Sequence, residues 1–176
     1  MAIVAKDSGT SQREKPTAGM HDAVCVFVVD VGLQKTTGQY GEKIQHKIVI
    51  CWELDEKIKE GKYAGQPFMV SNRYTLTLFE KGNLCKVLEA WFSKKLTDEQ
   101  RENGIDLEKL IGKTCTLNLI ESAQGYINVG GVAPAHPSNK LTPVCTSVPE
   151  WIGKLLSEAV ADGATEPNES TENLPF

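Results

Sequence analysis

Apolar residues recur along most of this chain with a period of two, and only short stretches switch to a period near 3.6. Residues 23–31 form an apolar, β-branched run, the pattern of a strand buried on both faces or strongly curved. Residues 35–41 (KTTGQYG) carry two glycines and predict a hairpin loop. Residues 42–54 then alternate. Ile44, His46, Ile48, Ile50 and Trp52 share one face, and Lys43, Gln45, Lys47, Val49 and Cys51 share the other. After a charged, Gly-containing loop at 55–67, residues 68–79 alternate again. Phe68, Val70, Tyr74, Leu76 and Leu78 lie opposite Ser71, Arg73, Thr75 and Thr77.

The period then changes. Residues 83–92 put Leu84, Val87, Leu88 and Trp91 on one side of an amphipathic helix. Thr97 and Gln100 have the spacing of a capping box, and Asp106 is a candidate N-cap for a short helix over 106–111. Strand patterns resume at 114–120 and 126–132, joined by a turn-rich segment at 121–125. Five short strands with a helix between the third and fourth is the order of an OB-fold barrel. The helix would plug the open barrel end with Leu84, Leu88 and Trp91. Small α+β sandwiches share the same order. His46, Trp52, Tyr74 and Trp91 have inward parity and are expected in the core.

The fold class expected is thus mainly β, with four segments. Residues 1–20 are polar and aperiodic and predict a mobile arm; 21–137 hold the barrel. Residues 138–160 hold a connector and a short amphipathic helix from Trp151, with Ser147 and Glu150 at capping-box spacing. That helix either docks on its own barrel or makes a homodimer contact. Residues 161–176 are acidic and nearly devoid of apolar side chains until their end, the composition of a disordered tail.

Composition narrows the function classes. With 40% hydrophobic and 24% charged residues over 176 positions, wholesale disorder and collagen-like repeats are excluded. No apolar run approaches the roughly 20 residues of a membrane helix, and the N-terminus lacks a secretory h-region. Five cysteines without a C-x-x-C pair, several in strand-like runs, point to buried thiols in a reducing cytoplasm. The three scattered histidines give no metal-ligand spacing, so neither metal nor cofactor is expected. Asp30, Glu53 and Asp55 stand near strand ends without forming a paired acidic site. No nucleophile–base arrangement or phosphate-cradling loop is present, which argues against an enzyme.

Taken as a whole, the net charge of −4 disfavours a polyanion partner, but it is unevenly spread. From Ser157 onward there are five acids and no bases, which leaves 19 basic against 18 acidic residues before it. The folded part is therefore free to carry a positive groove. Lys43 and Lys47 on the second strand would sit beside Arg73 on the third, with Lys35, Tyr40, Lys62 and Tyr63 in adjacent loops. In OB-folds this face and its loops bind single strands, basic side chains tracking phosphates and aromatic rings stacking on bases.

The chain closes on Glu172-Asn173-Leu174-Pro175-Phe176, an exposed apolar tripeptide at the end of an acidic run. Such an end suits a pocket with a hydrophobic floor and a basic lip. This tail resembles the C-terminal tip of bacterial single-stranded-DNA-binding proteins. Family tips carry several aspartates before the tripeptide, where this chain has only Glu172-Asn173. In strand order, in its Leu-Glu-Ala-Trp helix (88–91) and in Ile-Gly-Lys-Thr-Cys (111–115), the region 20–135 resembles phage-encoded single-stranded-DNA-binding proteins. The resemblance implies a protein that coats single-stranded DNA in phage replication, recombination or repair, in the bacterial host cytoplasm. It also implies that Glu172, Leu174, Pro175 and Phe176 recruit partner enzymes. An alternative is an adaptor whose barrel binds protein and whose tail mimics the host tip.

Overall fold

The computed structural model describes residues 14–160. Residues 1–13 of the expected arm and all of the expected tail, with Glu172, Leu174, Pro175 and Phe176, lie outside the described residues.

The strands are β1 (Gly19–Gly38), β2 (Gly41–Lys57), β3 (Pro67–Thr75), β4 (Thr114–Glu121) and β5 (Ile127–Pro134). They form one antiparallel sheet in the order β3-β2-β1-β4-β5. The sheet is open: its edges β3 and β5 approach each other without a hydrogen-bonded ladder. Helix α1 (Asn83–Phe92) packs against both edges and buries Leu84, Leu88 and Trp91 in the sheet's inner core, the plug expected from its periodicity. Trp91 lies 6.1 Å from Trp52 between ring centroids, and its Nε1 donates to the Thr114 carbonyl at 2.8 Å. That bond satisfies a polar group that burial would otherwise leave costly. Helix α2 (Asp98–Asn103) begins with the expected capping box at Thr97 and Gln100. Asp106 caps a 3-10 helix at Leu107–Leu110.

The inner core is the even-numbered face of β2 (Ile48, Ile50, Trp52, Leu54) with Ala23, Cys25, Phe68, Tyr74, Cys115, Leu117 and Leu119. A bulge at Val26 reverses the parity of β1, because Cys25 pairs with Trp52 and Phe27 with Cys51. Val26, Val29 and Val31 therefore turn to the outer face, together with Val49 and Cys51. That outer face is a second core. Helix α3 (Glu150–Ser157) covers it with Ile152 and Leu155. The run at 23–31 thus contributes to both cores, the first of the two alternatives open from its pattern. Burial pushes the Cys25 and Cys51 thiols up to about 12, so both are inert thiols.

Four local expectations are corrected. The 35–41 stretch is not a loop: β1 and β2 run on as a two-stranded arm that turns over Gln39 and Tyr40, with Gly38 opposite Gly41. Gly41 has φ +103°, which side-chain-bearing residues rarely adopt. β3 ends at Thr75 rather than near 79, because its last partner, Lys47, is where β2 leaves the sheet for the arm. His46 is on that arm and half-exposed, not in the core, with Nε2 2.6 Å from Asp30 Oδ1. Finally, α3 is capped by Pro149 without a side-chain bond, so Ser147 and Glu150 form no capping box.

Residues 14–18 are pinned rather than free. The Glu14 carboxylate accepts from the Lys59 and Glu60 amides, Lys15 pairs with Glu121 at 2.5 Å, and Thr17 N donates to Glu56 at 2.9 Å. No helix among the described residues is long and apolar enough to cross a membrane.

Candidate nucleic-acid interface

Antiparallel pairing sets which of the expected binding residues meet. Lys47 is opposite Thr75, and Val49 opposite Arg73, so Lys47 and Arg73 share the outer face of β2 and β3. Lys47 Nζ donates to Thr75 Oγ1 at 2.7 Å. Partial burial, and then the nearby Arg73 guanidinium, hold the Lys47 ammonium below its usual range. These are two like charges side by side. Neither has an ion-pair partner among the described residues. An anion would relieve their repulsion.

The outer face is not the open basic surface expected along its whole length. Val49 and Cys51 are fully buried beneath α3, and Met69 and Cys145 pack around them. Alternation identified the residues of this face; it did not reveal that a later helix covers half of it. What stays accessible is the stretch carrying Lys43, Gln45, Lys47, Arg73 and Thr75.

Polar anchors hold the cover in place. Glu53, only 2% exposed, accepts from the Val144 and Cys145 amides at 2.7 and 3.2 Å. Asn139 Nδ2 donates to the Ala23 and Cys115 carbonyls, both at 3.1 Å. Gln34 Nε2 donates to Leu155 O at 2.8 Å, and Val160 N to Leu33 O at 2.8 Å. Helix α3 therefore docks on its own sheet, one of the two placements open from sequence.

Docking brings Trp151 onto the basic edge. The Arg73 guanidinium carbon lies 5.8 Å from the Trp151 ring centroid, within cation–π range. Trp151 is 38% exposed, whereas Trp52 and Trp91 are core residues at 0% and 2%. Sequence reasoning treated Trp151 as part of a docking stripe. Helical spacing gave no signal for its exposure, because Trp151, Ile152 and Leu155 belong to one apolar set until docking decides which are buried.

The other expected residues separate from this pair. Lys43 is on the same face four residues toward the arm tip, roughly 13 Å from Lys47 along an extended strand. Tyr40 is at the tip and 89% exposed. Lys35 pairs in register with Ile44, which puts it on the opposite face of the arm, where it bonds Glu42 at 2.8 Å. It does not join the basic edge. Lys62 and Tyr63 lie in the β2–β3 loop at the far end of β2, with the Lys62 ammonium 5.4 Å from the Tyr63 ring centroid. Lys57, where β2 ends, is ten residues beyond Lys47, roughly 33 Å. The predicted set is thus a basic edge, an arm and a distant loop rather than one cluster.

Comparison with known proteins gives no match: no family model, no curated protein and no solved structure matches this chain.

Proposed function

We propose that this chain binds single-stranded DNA with little sequence preference, using Lys43, Lys47 and Arg73 for phosphates. Tyr40 on the arm and Tyr63 on the distant loop supply ring faces at the two ends of the path. The observation that carries this reading is the Lys47–Arg73 pair, two adjacent cations on neighbouring strands with no ion-pair partner among the described residues. The five-stranded order, opened between β3 and β5 with α1 in the gap, supports an OB-type barrel as the scaffold. The acidic end with Leu174-Pro175-Phe176 supports a second role, recruitment of replication, recombination or repair enzymes. No catalytic step is assigned to the chain.

The test is anisotropy titration with a fluorescent oligo-dT over a series of salt concentrations. Phosphate contacts release counterions, so log K should fall with log salt by about 0.7 per contact. A Lys47→Ala/Arg73→Ala double variant should bind more weakly and lose about 1.4 from that slope. Affinity unchanged by salt, or a double variant with the wild-type slope, would refute the basic-edge assignment.

A further inference from the structure

We propose that Trp151 is a base-stacking residue for single-stranded nucleic acid, placed by α3 beside the phosphate-holding pair Lys47 and Arg73. The inference rests on the single-strand-binding reading above and adds a contact outside the sheet and its loops. Tryptophan offers the largest ring of any side chain, and here 38% of the residue is left in water. The helix has apolar anchors besides that ring, because Ile152 is fully buried and Leu155 nearly so. Arg73 lies over the indole at 5.8 Å, and Lys47 is next to Arg73. A ring beside a pair of adjacent cations can take a base while the cations hold neighbouring phosphates of the same strand, and every base has a π-face to offer.

The indole is also pre-positioned. Bonds from Gln34 to Leu155 O and from Val160 to Leu33 O fix the C-terminal end of α3, and the Glu53 carboxylate fixes the connector before it. A side chain held in place before binding loses little freedom when the base arrives. The rival role for the same geometry is a purely structural staple, with Arg73 clamping Trp151 so that α3 stays closed over the sheet.

Fluorescence separates these roles because Trp52 and Trp91 are buried in the inner core. Wild-type protein is titrated with oligo-dT and followed by intrinsic tryptophan emission and, separately, by anisotropy of a labelled oligonucleotide. Emission should be quenched as the complex forms. Trp151→Phe should lose the quench yet bind within about threefold of wild type, since a ring remains. Trp151→Leu, which keeps an apolar group without a π-face, should bind on the order of tenfold more weakly with an unchanged circular dichroism spectrum.

A quench that survives in Trp151→Phe, or wild-type affinity in Trp151→Leu, would overturn the proposal. Tighter binding by Trp151→Leu would also overturn it and assign α3 the role of a cover. If labelled oligo-dT does not bind wild-type protein at low salt, the single-strand reading itself fails, and this inference falls with it. Binding with no effect of Trp151 removes the inference alone.

Discussion

Replacing Ile152 by alanine should release α3 from the sheet without unfolding the sheet. Ile152 is fully buried, and truncating such a residue costs about 2–5 kcal/mol. Leu155 is the only other buried side chain of the helix. Its burial contributes about 1.5–3 kcal/mol, so the substitution removes roughly 40% or more of the anchorage from buried side chains. The inner core, built around Trp52, Trp91 and Leu84, does not include Ile152. The opening equilibrium of α3 should therefore rise by roughly 30- to 5,000-fold, while the β1–β2 ladder keeps its protection. Hydrogen exchange followed by mass spectrometry reads both regions in one sample, through peptides covering 150–157 and 23–29. Uniform loss of protection in both peptides would show that the two cores form one cooperative unit. Unchanged exchange in the α3 peptide would show that Ile152 is not its anchor. Either result refutes the picture of a locally docked cover.

Two further outcomes follow from the polar anchors. Glu53→Ala strands the Val144 and Cys145 amides without an acceptor, a loss of about 1–3 kcal/mol for each group. Glu53→Gln keeps an acceptor oxygen, so its urea midpoint should fall between wild type and Glu53→Ala; equal midpoints for the two variants would refute the carboxylate's role. His21 is buried, with Nδ1 3.0 Å from Asp55 Oδ1 and Nε2 2.7 Å from the Thr17 carbonyl, while Glu56 lies 3.8 Å away. Burial lowers its pKa, but the Thr17 and Asp55 bonds, with the Asp55 and Glu56 charges, outweigh burial and hold it above 6.5. The imidazolium's stabilisation is therefore complete below pH 6.5, the unfolded value, and is lost as pH rises through the higher folded value. The difference in Tm between wild type and His21→Gln should shrink over that rise, and a constant difference would refute the assignment.

Several features of the interface were legible from residue pattern alone. Alternation in β2 and β3 assigned Lys43, Lys47 and Arg73 to one face, and register confirms that Lys47 and Arg73 are neighbours. The same alternation put Trp52 and Tyr74 in the core, and the helical spacing of Leu84, Leu88 and Trp91 did so for α1. Lys35 escaped this logic. A hairpin loop was expected at 35–41, and once those residues continue as strand, parity sends Lys35 across to the opposite face. Lys62 and Tyr63 belong to a loop whose composition says nothing of its distance from Lys47.

By itself, the sequence determined which side chains share a face within each strand or helix. That information is local, because it follows from the backbone repeat of the element carrying them. Only the tertiary structure decided what each face meets. Val49 and Cys51 alternate with Ile48 and Ile50 and fit either a solvated or a buried outer face equally well. The arrival of α3 about a hundred residues later buries them, tied down by Glu53, Gln34 and Asn139. Long-range contacts of this kind depend on how separate elements pack, so no periodicity records them. The same packing left Trp151 beside Arg73, turning an ordinary docking residue into the most exposed tryptophan of the chain.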